Sequence, residues 1–231
     1  MSNSRLARAI VLTLWAGFFG YLWVSGEMVR FLGPRTYWVV PFGCATLGAA
    51  AVAHFVALRM AEGTARKMSR SDLIGIVTLL IPILAVIAVP QAELGALAAS
   101  RKATGAGATS GLLAPPAPEA GRPPNFIDVH FANSSDEYAA TLGIGEGTEL
   151  NLTGFVSGAG AGELTLTRFY VSCCAADAIP YSVTVVGEAT TGYPDNTWLR
   201  VSGVLQDDGT ELKLAPDSIE EVKRPDSPYL Y

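Results

Sequence analysis

Two adjacent thiols, Cys173 and Cys174, open the run Cys-Cys-Ala-Ala-Asp-Ala just after an alternating segment, and Asp177 stands three residues beyond them. Soft thiolates suit Zn2+, Cu(I) and related ions, and a nearby carboxylate can add an oxygen ligand. In a continuing strand successive side chains point to opposite faces, and the two thiols would not share an ion. A chain that turns at Cys173, as Ala-Ala-Asp-Ala before Pro180 permits, would bring both sulfurs together. On that reading Cys173, Cys174 and Asp177 are metal ligands, and the cofactor is a soft metal ion such as zinc. A structural metal site wants four ligands, and His130 is the sole imidazole beyond residue 124. Two other readings stay open. The corner is structural, with one cysteine a small buried hydrophobe and Asp177 a turn or capping carboxylate. Or the thiols exchange electrons, which an oxidising location favours and the strain of a disulfide between neighbours opposes.

Little else in the chain could do chemistry. There are two histidines, and no Walker loop, Gly-x-Ser-x-Gly, His-Glu-x-x-His or histidine-based triad. Acid–base catalysis has little to work with, so no catalytic residue is assigned and the chain does not read as an enzyme. Cys44 and His54 lie ten residues apart in an apolar run; an ionisable group inside a membrane is a functional hint, but a lone histidine is more often structural. Arg168, set among apolar neighbours, is expected to pair with an acidic side chain and brace the cysteine turn.

The elements that must position this corner differ sharply along the chain. Half of the residues are hydrophobic, 16% are charged and the mean hydropathy is +0.33. Three charge-free apolar runs, Ala9–Gly26, Thr36–Leu58 and Leu73–Ala92, lie within residues 1–92. Each is about the length needed to cross a hydrocarbon core of roughly 30 Å, and three transmembrane helices are expected. Pro82 should kink the third, and Pro90 should end it. Arg5, Arg8, Arg59, Arg66, Lys67 and Arg70 flank one side, against Arg30, Arg35, Arg101 and Lys102 on the other. This bias places the N-terminus in the cytoplasm and the C-terminal part outside it. Residues 93–124, rich in Gly, Ala and then Pro, read as a tether, with some helix through Leu94–Arg101.

From Asn125 short alternating runs separated by Gly, Asp and Pro take over. Phe126, Val129 and Phe131 mark a strand or extended lead-in. Ser134 followed by Glu137 resembles a capping box opening a helix to about Leu142. Strands are expected at Glu149–Ser157, Glu163–Ser172, Tyr181–Gly187, Trp198–Leu205 and Glu211–Ala215, with one helical turn over Asp217–Val222. In the second, Leu164 and Leu166 share one face while Phe169 and Val171 belong to the other, so a bulge is expected near Thr167 or Arg168; Gly154 could serve the same purpose in the first. Five short strands and one helix over residues 125–231 fit a small Greek-key barrel of the oligonucleotide/oligosaccharide-binding type. The fold class expected is therefore α+β, with three membrane helices followed by a small all-β soluble domain. Residues 125–231 carry a net charge of −11 and residues 1–124 a net +6. Nucleic acid, which demands a basic surface, is excluded as a partner of such a barrel.

Several separated motifs resemble one family: Gly-Pro-Arg at 33–35, Val-Pro-Gln-Ala-Glu-Leu at 89–94, Arg-Phe-Tyr-Val-Ser-Cys-Cys-Ala-Ala-Asp-Ala at 168–178, Trp-Leu-Arg-Val-Ser-Gly at 198–203 and Pro-Tyr-Leu-Tyr at 228–231. Together these look like the YcgQ-like family of small bacterial membrane proteins, described as permease subunits. The resemblance implies a three-helix anchor in the lipid of the cell membrane, a barrel-like domain and a separate multi-spanning permease as partner. It supplies no reaction. Two functions of different class follow. One is an accessory permease subunit with an acidic extracytoplasmic barrel; the other is a stand-alone tethered metal-binding or thiol-redox module built on the Cys-Cys corner.

Overall fold

The structure is a computed structural model that describes residues 3–60, 69–88, 94–106, 122–160 and 162–231. It divides into two compact units, Met1–Glu93 and Leu94–Tyr231.

The first unit is helical. Helices α1 (Asn3–Ser25), α2 (Val39–Met60) and α3 (Arg70–Ala88) follow the three apolar runs. Among the described residues, two helical stretches are long and apolar enough to cross a membrane, Leu6–Ser25 and Pro34–Met60. The expected third span reaches into 89–92, outside the described residues, and Pro90 with it. Small residues let α1 and α2 approach closely, as they do between apolar helices in lipid. A Cβ on Gly43 would meet the Phe19 ring at 3.3 Å, and one on Gly20 would meet the Cys44 sulfur at 3.5 Å. Pro82 lies inside α3 as expected. Its ring removes the N–H that would bond the Thr78 carbonyl, and one residue on, the Leu79 carbonyl accepts from the Trp15 indole at 3.0 Å. A neighbouring helix thus donates to the turn beside the interruption, at Leu79 and not at the freed Thr78 carbonyl.

The second unit is built on a closed barrel of five strands in the order β1-β2-β3-β5-β4. The strands are β1 (Glu149–Gly160), β2 (Glu163–Tyr170), β3 (Ile179–Val186), β4 (Trp198–Asp207) and β5 (Leu212–Glu221). β1 runs antiparallel to both β2 and β4, and that second pairing closes the barrel. β3 and β5 pair in parallel, at Val185 and Leu214. The alternating residues face inward as their pattern predicts: Leu150 and Leu152, Leu164 and Leu166, Val183 and Val185, Leu199, Val201 and Leu205 share one core.

Three details differ from the sequence expectation. Phe126–Ala132 is a helix, α5, not a strand. Asn125 caps it, its side chain accepting from Ile127 and Asp128, while Asp128 accepts in return from the Asn125 N–H. Phe126, Ile127 and Val129 then pack into the barrel core. The next helix, α6 (Asp136–Leu142), ends where expected, but its cap is Ser135 rather than Ser134. Finally, β5 continues through Pro216 to Glu221, in place of the expected helical turn. A bulge opposite Ser202 and Gly203 absorbs the proline, which a regular ladder would reject.

The change of phase in β2 also has a different cause. Pairing of β2 with β3 is unbroken from Glu163 to Tyr170, so there is no bulge at Thr167 or Arg168. The bulge lies in β1, between Val156 and Gly158. Gly154 stays in register instead; a Cβ there would meet the Thr167 carbonyl at 2.7 Å and the Phe126 ring at 2.8 Å. Phe169 is buried in a second cluster with Phe155, Val171, Ala178 and Tyr229. That cluster is covered by Ala99 of helix α4 (Ala96–Ala106), at the start of the segment expected to be a tether. Asn196, whose left-handed φ of 69° suits asparagine, accepts the Ala96 N–H at 2.7 Å. Residues 107–121 of that segment lie outside the described residues.

Candidate metal centre

The corner lies between β2 and β3. After Tyr170 the backbone leaves the ladder, bends at Ser172 and Cys173, and makes a single 3-10 turn over Ala175–Asp177. Asp177 closes that bend. Its Oδ1 accepts the Ser172 N–H at 3.1 Å, and its Oδ2 accepts those of Cys173 and Cys174 at 2.7 and 3.4 Å. The Asp177 N–H in turn donates to the Cys174 side chain and to its carbonyl, the latter at 3.0 Å. Both expected features of this aspartate coexist: it shapes the turn, and it lies beside the thiols.

The turn brings the sulfurs to one side. Cys173 and Cys174 Sγ lie 3.7 Å apart, and ligand atoms of Cys173, Cys174 and Asp177 all fall within 4.8 Å of one another. The two cysteines are not joined in a disulfide; Cys173 is exposed and Cys174 half-buried. The Asp177 carboxylate, and then the Cys174 thiol, hold the Cys173 proton, pushing its pKa up to about 12. For Asp177 burial acts to raise the pKa, but hydrogen bonds from the Cys173 thiol and from the three backbone N–H groups outweigh it and lower it. Cys173 therefore rests as a thiol on an ionised Asp177 carboxylate, and a metal would enter by displacing its proton.

Residues around the corner hold its backbone rather than its sulfurs. Lys102 of α4 donates to the Ala176 and Ala178 carbonyls at 3.1 and 2.8 Å. Arg168 does not pair with a carboxylate as expected. Its guanidinium donates to three backbone carbonyls, of Thr153, Ser227 and Pro228. It thereby anchors the segment whose Leu230 exchanges hydrogen bonds with Phe169 and Val171, at 2.8 and 3.1 Å. The other sequence candidates lie elsewhere. His130 packs against Phe131 and Tyr181 on the face of α5. In the first unit His54 Nδ1 bonds its own helix at the Ala50 carbonyl, 3.1 Å away, and Cys44 faces Gly20.

One polar centre was missed from sequence. Asp128 is 1% exposed and takes a 2.9 Å ion pair from Arg122 and a 3.2 Å hydrogen bond from the Tyr138 hydroxyl. Burial, then the Asp128 charge, push the Tyr138 pKa up to about 12. The network joins the chain entering α5 to α6. Its one sequence signal was the cap-like spacing of Asn125 and Asp128.

Five antiparallel and parallel strands closed into an acidic barrel, with a dithiol corner between the second and third, define a β-barrel domain that follows a helical, apolar unit in the chain. Residues 126–231 match the DUF1980 C-terminal domain. That finding covers the barrel with its two preceding helices and names no permease-subunit family. No curated protein and no solved structure matches the chain.

Proposed function

We propose that this protein is a membrane-tethered module whose acidic barrel of the oligonucleotide/oligosaccharide-binding type presents the Cys-Cys corner as a soft-metal site. The observation that carries the reading is the convergence of Cys173, Cys174 and Asp177 within 4.8 Å on a turn fixed by hydrogen bonds. Sequence neighbours on a regular strand would not converge in this way. The test is metal retention by the full chain, purified without chelator and then given Cd2+ or Cu(I). About one ion per chain is expected, lost on Cys173→Ser or Cys174→Ser because a hydroxyl is a poor ligand for soft ions. Equal, near-zero metal in all three proteins would defeat the reading.

A second reading, an accessory subunit of a multi-spanning permease, has support from the helical unit and from the motif resemblance. Tyr21, Trp38, Phe42 and Val52 are each at least 60% exposed on apolar helices, and lipid or a partner's helices would cover them. The three apolar runs support three spans, and the charge bias supports an N-terminus in the cytoplasm and an extracytoplasmic barrel. Co-purification from native membrane with a permease, identified by mass spectrometry, tests it; recovery of the chain alone under mild detergent would count against it.

A further inference from the structure

Resting on the soft-metal reading above, we infer that the corner is a transfer site for a tetrahedral, borderline-soft divalent ion of the Zn2+ type, holding three donors and leaving the fourth to an incoming ligand. The sulfur separation selects the geometry. Two thiolates at about 2.3 Å from a tetrahedral ion lie about 3.8 Å apart, and the two sulfurs stand at 3.7 Å before any ion is bound. A linear two-coordinate ion would need them separated by twice the metal–sulfur bond, which the short turn does not offer. The corner is thus already set for a tetrahedral edge.

Asp177 can supply a third donor and no more. A carboxylate has about four lone-pair positions, and three backbone N–H groups already occupy three of them, two on Oδ2 and one on Oδ1. The fourth is taken at rest by the Cys173 thiol, and the ion that displaces that proton can occupy it without undoing the turn. No fourth donor is at hand among the described residues, since no other His, Cys, Asp or Glu joins the cluster. His130, the remaining imidazole of this unit, is engaged with Phe131 and Tyr181. Closed four-ligand zinc sites are structural, whereas three-ligand sites keep an exchangeable position. Cys173 is exposed, so the open corner of the tetrahedron faces outward. A donor on another molecule, a thiolate or an imidazole, can therefore enter, share the ion and carry it off.

Co2+, which reports coordination number in its visible spectrum, tests this in the full-length protein in detergent. One equivalent should give the intense bands of a tetrahedral ion together with thiolate-to-metal charge transfer. Titration with free imidazole should then shift the visible bands saturably, as the fourth position is exchanged. Cys173→Ser should weaken Co2+ binding at least tenfold and remove about half of the charge-transfer intensity; Cys174→Ser serves as the independent check should the first variant be poorly folded. Weak octahedral bands, or tetrahedral bands that imidazole leaves unmoved, would overturn the inference. Binding of Cu(I) by both thiols without a tetrahedral Co2+ form would overturn it too, while leaving the soft-metal reading standing. No binding of Co2+, Cd2+ or Cu(I) would defeat both.

Discussion

Three backbone N–H groups converge on Asp177, so the shape of the corner depends on one carboxylate more than on either thiol. Asp177→Ala should release Ser172, Cys173 and Cys174 together, costing roughly 1–3 kcal/mol in denaturant unfolding and weakening metal retention with it. A variant of wild-type stability would show that the turn closes without this residue. His130 makes a separate prediction. Burial lowers its pKa below 6.5, so the folded state binds fewer protons than the unfolded one as pH falls through that value. Stability is then unaffected well above pH 6.5 and declines from there down to the folded-state pKa. His130→Phe should flatten this part of a melting-temperature profile, leaving the loss at lower pH to the carboxylates. The turn was half legible in sequence: Ala-Ala-Asp-Ala before Pro180 permits it, but a strand continuing through both cysteines stood as the alternative. The role of Arg168 was not legible. Its acceptors are backbone carbonyls, two of them about 60 residues away, and a carbonyl leaves no trace in residue type.

Among the elements, β4 and β5 show how a strand accommodates a residue that ought to break it. Pro216 is tolerated because β5 bulges there and because Gly203 stands opposite without a side chain. A Cβ on Gly203 would press on the Ala215 carbonyl and approach the Pro216 Cα to 2.8 Å. Gly203→Ala should therefore cost about 3 kcal/mol, read as a lowered midpoint in urea; an unchanged midpoint would mean that the bulge relaxes freely. Asp128 joins two short helices in the same way that Gly203 joins two strands. Asp128→Ala would strand Arg122, Tyr138 and the Asn125 N–H, with a loss of roughly 3 kcal/mol or more. The inward faces of the strands were legible because alternation maps directly onto a pleat. α5 was misread because Phe126, Val129 and Phe131 suit a strand, and only the reciprocal Asn125–Asp128 cap marks the helix. The second face of β2 was assigned to a bulge because nothing in the strand itself reveals that α4 lies over Phe169.

At the scale of the whole molecule, the boundary between apolar and mixed composition near residue 92 coincides with the division of the structure after Glu93. Composition reveals that division because helices that expose apolar side chains and a barrel that buries them obey opposite rules. Composition alone could not assign α4, whose alanines look like linker and yet bury Ala99 against the barrel. The orientation proposed from the positive charges has a direct test. Protease added to intact spheroplasts should remove residues 126–231, whereas a fully protected tag at the C-terminus would refute it.

The closing pair of the barrel has a consequence in time. The β1–β2 and β2–β3 pairings join neighbours, but β1 meets β4 only when residues such as Glu149 and Val204 find each other across the intervening chain. Loop closure of that span must precede its reward, and topologies rich in such pairings fold slowly. Until the seam forms, β1 and β4 each offer an unpaired edge on which another copy could template. The net charge of −11 on residues 125–231 then acts as a chaperone of sorts, since unfinished copies repel one another through the interval in which their edges are bare.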